Sequence, residues 1–292
     1  MQELPFNTVA ILGPGLLGGS IALAVHEKLP ACELRLWARR EDPLTLAQAK
    51  GITHTYRDAK QAVEGADLII LATPIGAFEE LSRSILSAIR KDALVTDIGS
   101  VKAYVHRTTG SMLTDRKRLF IGSHPMAGAE KQGFEHAYPG LLQGATVVTT
   151  NPHGVPDSYQ LRLERFWQAL GCSTYRMSPA HHDRTVARIS HMPHIMAALG
   201  ARNSTPGDVD TADLQRLASS GFRDTTRVCS GAAGMWADIL WENDVAVREV
   251  LHNCVDDLHR LVDLLESQNK AGVQAWLEEA KTTRELILRL DQ

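Results

Sequence analysis

The spacing of apolar residues changes period once along the chain, near residue 178. Before that point short runs rich in β-branched residues recur at 8–12, 33–38, 67–74, 93–100, 119–121 and 146–150. Segments of helical spacing, such as 77–89 and 161–170, lie between them. This alternation predicts strands joined by helical crossovers, so a mostly parallel sheet covered on both faces: a doubly wound α/β fold of Rossmann type. The run 146–150 is expected to continue that sheet, and a short strand at 173–177 to close the first domain, 1–177. Beyond Ser178-Pro179 the period is helical. Val247, Val250, Leu251, Cys254, Leu258, Leu261, Val262 and Leu265 fall on one stripe, and Val273, Trp276, Leu277, Ile287 and Leu290 on another, which predicts an all-helical second domain, 178–292.

The first strand runs into Gly13-Pro14-Gly15-Leu16-Leu17-Gly18, and a helix follows. Glycines at that spacing on a strand-to-helix turn define a dinucleotide site. Gly13 permits the tight turn, Gly15 lets backbone approach a pyrophosphate, and Gly18 lets the helix pack close to its strand. The helix-end amides, at Leu16 and Leu17, then face the phosphates. The second strand ends at Ala38, followed by Arg39 and Arg40, where an NAD site commonly carries an acid for the ribose 2′-hydroxyl. Glu33 has the customary sequence distance but starts the strand. Two guanidiniums there favour a 2′-phosphate, hence NADP over NAD; pairing with Glu41 and Asp42 is the structural alternative. Thr73 and Ser100 end the third and fourth long strands, on the edge where such sheets bind ligands. A nicotinamide contact is expected of Thr73, with a simple turn as the alternative, and function is expected of Ser100.

Composition narrows the partners. The chain has 292 residues, 44% hydrophobic and 22% charged, with a net charge of −3, which suits a globular protein that builds a core. There is no broad basic surface for nucleic acid or anionic lipid, so a small molecule is the expected substrate. No apolar run approaches a membrane span, and no leader opens the sequence. Cys32, Cys172, Cys229 and Cys254 are scattered without metal-ligand spacing. The expected location is the cytoplasm. His191 and His194 share a helix face, yet no acid or thiol stands at matching spacing and Pro193 kinks the element, so no metal site is expected.

The stretch Ile121-Gly122-Ser123-His124-Pro125-Met126-Ala127-Gly128-Ala129-Glu130 places a histidine between glycines and a proline, in what reads as a loop at the sheet edge. Neutral imidazole is the side chain suited to take a proton from an alcohol being oxidised. This run, with Asp97-Ile98-Gly99-Ser100-Val101-Lys102 before it, resembles the prephenate and arogenate dehydrogenases of tyrosine biosynthesis. Gly221 to Val228 and Met235-Trp236-Ala237-Asp238-Ile239, then Asn243, continue the likeness.

The resemblance implies oxidative decarboxylation of prephenate to 4-hydroxyphenylpyruvate with hydride transfer to NAD(P)+, or of arogenate to tyrosine. It implies that His124 is the catalytic base and that Ser100 bonds near the hydroxyl and nicotinamide. Arg227 is selected to grip a substrate carboxylate, with Glu130 tuning the polar network. His182, His191, His194 and Trp236 are implied to line the pocket or organise its hydrogen bonds. A homodimer through the helical domain is implied as well. Another two-domain dehydrogenase or an imine reductase is the alternative. The β-hydroxyacid type needs a lysine from the helical half, and none lies between Lys131 and Lys270.

Overall fold

The computed structural model describes residues 4–128, 131–204, 207 and 209–288. Strands β1 (Thr8–Leu12), β2 (Glu33–Trp37), β3 (Thr55–Tyr56), β4 (Leu68–Leu71), β5 (Leu94–Asp97) and β6 (Leu119–Phe120) pair in parallel, in the order β3-β2-β1-β4-β5-β6. Successive residues of β1 enter opposite layers. Val9 and Ile11 belong to a core with Leu36, Leu68 and Trp167, and Ala10 and Leu12 to one with Ile69, Val95 and Phe120. Burial on both faces is why these strands are continuous apolar runs and show little alternation. The strand order reverses between β1 and β4, so a ligand crevice opens past their carboxyl ends, beside Gly13 and Thr73.

The run 146–150 does not extend this sheet. It forms β8 (Thr146–Thr150), the centre of a separate three-stranded sheet, antiparallel to β7 (Gly122–Pro125) and parallel to β9 (Ser173–Arg176). The break falls at Ile121, whose amide still bonds to the Val95 carbonyl at 3.1 Å, after which the chain pairs with β8. A continuous apolar run hides this change of partner, because each half is buried.

After β5 the segment 103–115 is helical, with a π turn at His106–Gly110. Its His106 is buried. Nε2 bonds to Thr150 Oγ1 at 2.7 Å, and Nδ1 has no partner among the described residues. Burial, reinforced by the Lys102 charge, pushes the pKa down to about 3. The unfolded chain takes up a proton below about pH 6.5 and the folded one does not, so this group's contribution to stability is present above that pH and is lost as pH falls towards 3. Unfolding free energies measured by denaturant between pH 7 and 4 should therefore decline, and His106→Gln should flatten the slope by up to about 1.4 kcal/mol per pH unit. An unchanged slope would show that His106 is protonated in the fold.

Helix Pro179–Val186 starts with Ser178 as its cap, the hydroxyl accepting from the His181 amide at 3.3 Å, and with Pro179 in its first turn. It continues through a π turn, Ala187–His191, into helix Met192–Asn203. The disturbance expected at Pro193 takes this form: proline cannot donate to the Ile189 carbonyl and crowds it, and a wider turn relieves both. By compactness the chain divides at Asp244–Val245. The change of period at Ser178-Pro179 lies inside the first unit, because Ile239 belongs to the second core layer and Trp236 packs against it. In the second unit Val255, Leu258, Val262, Leu265, Leu277 and Ile287 are exposed. Among the described residues no helix is long and apolar enough to cross a membrane.

Candidate active site

The glycine turn is built as its spacing requires. Gly13 has φ +116°, and a Cβ there would lie 2.7 Å from the Ala72 backbone. A Cβ on Gly18 would press into the Gly13 carbonyl oxygen. Gly15 differs: among the described residues a Cβ would meet nothing within 4 Å, which leaves room in front of helix Leu16–Lys28. That helix has no acidic residue in its first turn, and the amides of Leu16 and Leu17 have no acceptor within the helix. The turn thus offers room, donors and the positive end of a helix dipole to a pyrophosphate. Thr73 Oγ1, just past β4, is buried with no partner among the described residues. A dinucleotide fits this cradle.

Arg39 and Arg40 are exposed just past β2. Of the acids named in the alternative, pairing with Glu41 and Asp42, Glu41 accepts from Arg57 at 2.9 Å, and Arg57 also donates to the Arg39 carbonyl at 2.7 Å. Glu33 bonds to Arg35 at the opposite end of β2, away from the crevice.

The second group of residues surrounds His124. This histidine stands on β7, paired with Val148, and not in a loop. Ladder bonds to β8 hold the Gly-Ser-His-Pro stretch extended, which local glycine and proline content does not suggest. Beneath it lies a buried ion pair between Lys102 and Asp97, both fully inaccessible. Lys102 Nζ also donates to the Ser123 carbonyl at 2.7 Å, and Asp97 accepts from the amides of Gly99 at 2.8 Å and Ser123 at 3.2 Å. Burial pushes the Asp97 carboxyl up and the Lys102 ammonium down. The donors on Asp97 and the ion pair itself oppose both shifts.

His124 Nδ1 lies 2.8 Å from His182 Nε2, and His182 Nδ1 lies 2.7 Å from Asp183 Oδ1. Asp183 also accepts from the backbone amides of Lys102 at 2.7 Å and Ala103 at 2.8 Å. His124 is half-buried as a residue, while His182 is almost wholly buried. Burial first, then the proximity of His182 and of the Lys102 ammonium, push the His124 pKa well below the ordinary imidazole range. Asn243 ties in the next helix, donating to the Asp183 carbonyl at 2.9 Å and lying 3.2 Å from His191 Nδ1. Burial takes His191 down to about 4. His194 stacks on Trp236, with centroids 3.5 Å apart and planes at 12°, and His191 meets the same indole edge-on.

The sequence-derived set is thus placed unevenly. His124, His182, His191, His194 and Trp236 form one connected cluster. Ser100 follows β5, half-buried, two residues before Lys102. Arg227 is exposed at the start of the short helix Arg227–Ser230, next to Val228, whose carbonyl faces His194. Glu130 lies outside the described residues. Sequence reasoning assigned no role to Asp97, Lys102, Asp183 or Asn243. Their signals were present: an acid beside a histidine just after a capped helix start, and a lysine just past a buried strand.

A parallel sheet with a glycine-turn cradle, in a chain that also holds a buried imidazole cluster, is the arrangement of a nicotinamide-dependent dehydrogenase. Residues 21–175 match the family profile described as prephenate dehydrogenase, nucleotide-binding domain, and 178–279 that described as prephenate dehydrogenase, dimerization domain. The chain belongs to the prephenate dehydrogenase family. It is 30% identical to the cyclohexadienyl dehydrogenase of Zymomonas mobilis, over 98% of this chain and 97% of that protein. It is 31% identical to the prephenate dehydrogenase of Lactococcus lactis, over 96% of this chain and 77% of the relative. The fold matches Aquifex aeolicus prephenate dehydrogenase in complex with hydroxyphenyl propionate and NAD+, with TM-score 0.87, 26% identity and coverage of 98% and 99% of the two chains. Synechocystis arogenate dehydrogenase matches with TM-score 0.80 and 27% identity, over 96% of this chain and 99% of the other.

Proposed function

We propose that this enzyme oxidatively decarboxylates prephenate to 4-hydroxyphenylpyruvate, with NADP+ preferred as the acceptor. The observation that carries the reading is His124, a base held neutral and hydrogen-bonded into a histidine cluster, within this family's fold. A nicotinamide held at the glycine turn would supply the hydride acceptor for the carbon that bears the ring hydroxyl. His124 takes the hydroxyl proton, the carboxylate on the opposite ring carbon departs as carbon dioxide, the ring becomes aromatic, and the proton returns to the resulting phenolate oxygen to give the 4-hydroxyphenyl product. Aromatisation supplies the driving force, so the chain's own task is to orient and to move one proton.

Each site residue takes a part in that task. Arg227 holds a substrate carboxylate through its two-pronged donor geometry. Ser100 bonds near the hydroxyl and the nicotinamide, Thr73 meets the nicotinamide, and Glu130 tunes the polar network. His191, His194 and Trp236 form the pocket wall, their stacking and the Asn243 bond keeping the rings in place. Gly13, Gly15 and Gly18, with the Leu16 and Leu17 amides, hold the pyrophosphate. Function divides at 177/178 into a cofactor half and a substrate half, a division supported by family profiles that cover 21–175 and 178–279. The exposed apolar stripe of the second unit supports a homodimer through the helical part. The four free thiols support a place in the cytoplasm.

Arogenate is the second reading, supported by the likeness to the Synechocystis enzyme. The assay follows reduced nicotinamide with prephenate or arogenate and each cofactor. Prephenate with NADP+ is expected to give the highest kcat/KM. Arg39→Ala with Arg40→Ala should raise the KM for NADP+ by about 10–100-fold, the value of one or two charge-assisted bonds, and affect NAD+ much less. No cofactor reduction with either substrate would reject the activity. Equal losses for both cofactors would reject the 2′-phosphate assignment.

A further inference from the structure

The cluster around His124 contains a pair of imidazoles that is ambiguous when taken alone. A hydrogen bond between two neutral rings can run in either direction, and only one direction leaves His124 able to act. If His124 Nδ1 accepts from His182, then His124 Nε2 carries the hydrogen and the atom remote from His182 cannot take a proton.

The third member breaks the symmetry. Asp183 is 4% exposed, and both of its oxygens receive backbone amides, from Lys102 on Oδ1 and from Ala103 on Oδ2. Backbone N–H groups can only donate, so this carboxylate is held as an acceptor. Oδ1 also faces His182 Nδ1 at 2.7 Å, and an acceptor there requires Nδ1 to carry hydrogen. Neutral His182 then has its lone pair on Nε2, and His124 Nδ1, 2.8 Å away, must donate to it. The lone pair of His124 is left on Nε2. We propose that Asp183, acting through His182, is a positioning residue that fixes the tautomer of His124 and so leaves Nε2 as the proton acceptor.

This deepens the reading of His124 as the base and rests on it. In the step, the substrate O–H bond breaks and an Nε2–H bond forms on His124. The imidazolium keeps its Nδ1–H bond to His182, and the Asp183 carboxylate stabilises the new charge through the intervening ring. No proton reaches Asp183 and no other reactant is needed. The same segment that fixes Asp183 also fixes the base. Lys102 gives Asp183 its amide and, through Nζ, holds the carbonyl of Ser123, the residue before His124. Both ends of the chain of rings are therefore referred to one point in the fold. Asn243 secures the Asp183 backbone from the other side.

The test uses the full-length enzyme with 15N-labelled histidine, the signals being assigned with His124→Asn and His182→Asn. At neutral pH the wild-type His124 is expected to show hydrogen on Nδ1 and a bare Nε2. Asp183→Asn should lower kcat by about 10²–10⁴-fold, the range for loss of a correctly protonated base, with KM and cofactor affinity little changed and the His124 signal shifted towards the other tautomer. A wild-type His124 with hydrogen on Nε2 would overturn the proposal even if Asp183→Asn failed to fold. So would an Asp183→Asn enzyme with wild-type kcat. Failure of the underlying reading looks different: His124→Asn would then retain wild-type turnover, whatever the tautomer.

Discussion

Replacing His124 with Asn is expected to lower kcat/KM by about 10²–10⁴-fold, the usual worth of a general base. Cofactor affinity should stay where it was, because Gly13, Gly15 and the helix behind them sit on β1 and its turn, while His124 sits on β7 in the other sheet. The wild-type pH profile should carry the same signature. Burial, with His182 and the Lys102 ammonium beside it, keeps the His124 pKa well below the ordinary imidazole value. The base form therefore persists as pH falls, and kcat/KM should hold its plateau through about pH 6.5 and drop only below it. A profile breaking at the ordinary imidazole pKa would mean that the base is a solvated group elsewhere. Steady-state kinetics across pH, with cofactor titration of the variant, check both statements.

Asp97→Ala is expected to cost about 3–5 kcal/mol of folding stability, because it strands the Lys102 ammonium in a fully buried position. The loss extends beyond one ion pair: the amides of Gly99 and Ser123 lose their acceptor too. Removing both charges together, Asp97→Asn with Lys102→Met, should cost less than the sum of the single changes, since neither partner is then left unpaired. Denaturant unfolding of the two single variants and the double one measures this. Additive losses would show that the two groups do not pair in the fold. Activity should fall with the Lys102 change even in protein that folds, because Lys102 Nζ holds the backbone immediately before His124.

Several features were legible because they depend on residues close in sequence. The apolar runs of β1, β4 and β5 are buried on both faces and bounded by turn residues, so their existence, direction and parallel pairing followed from pattern alone. The glycine turn was legible for a similar reason: Gly13 meets Ala72 backbone and takes a positive φ, a steric demand that only glycine satisfies. His124 was recognisable by its chemistry in its motif but misplaced as a loop residue. Its conformation is set by pairing with Val148, which lies on a strand distant in sequence. The separate β7-β8-β9 sheet was missed on the same account. An apolar run states that a strand is buried and does not say which neighbour it joins.

The roles of Asp183, Lys102 and Asn243 lay further out of reach. Asp183 stands next to His182 and Lys102 close to Asp97, but the contacts that give them their place, Asp183 with the Lys102 and Ala103 amides, Lys102 with the Ser123 carbonyl and Asn243 with the Asp183 carbonyl, join residues far apart in sequence. Amino-acid order alone settled the class of fold, and it pointed to the glycine turn and to His124 as the proposed base, since these rest on steric limits and local spacing that hold wherever the segment is placed. Folding in three dimensions decided which sheet His124 joins, which groups surround it and in which direction its hydrogen bonds run. Those depend on distances between elements, and a linear pattern of side chains contains no distances.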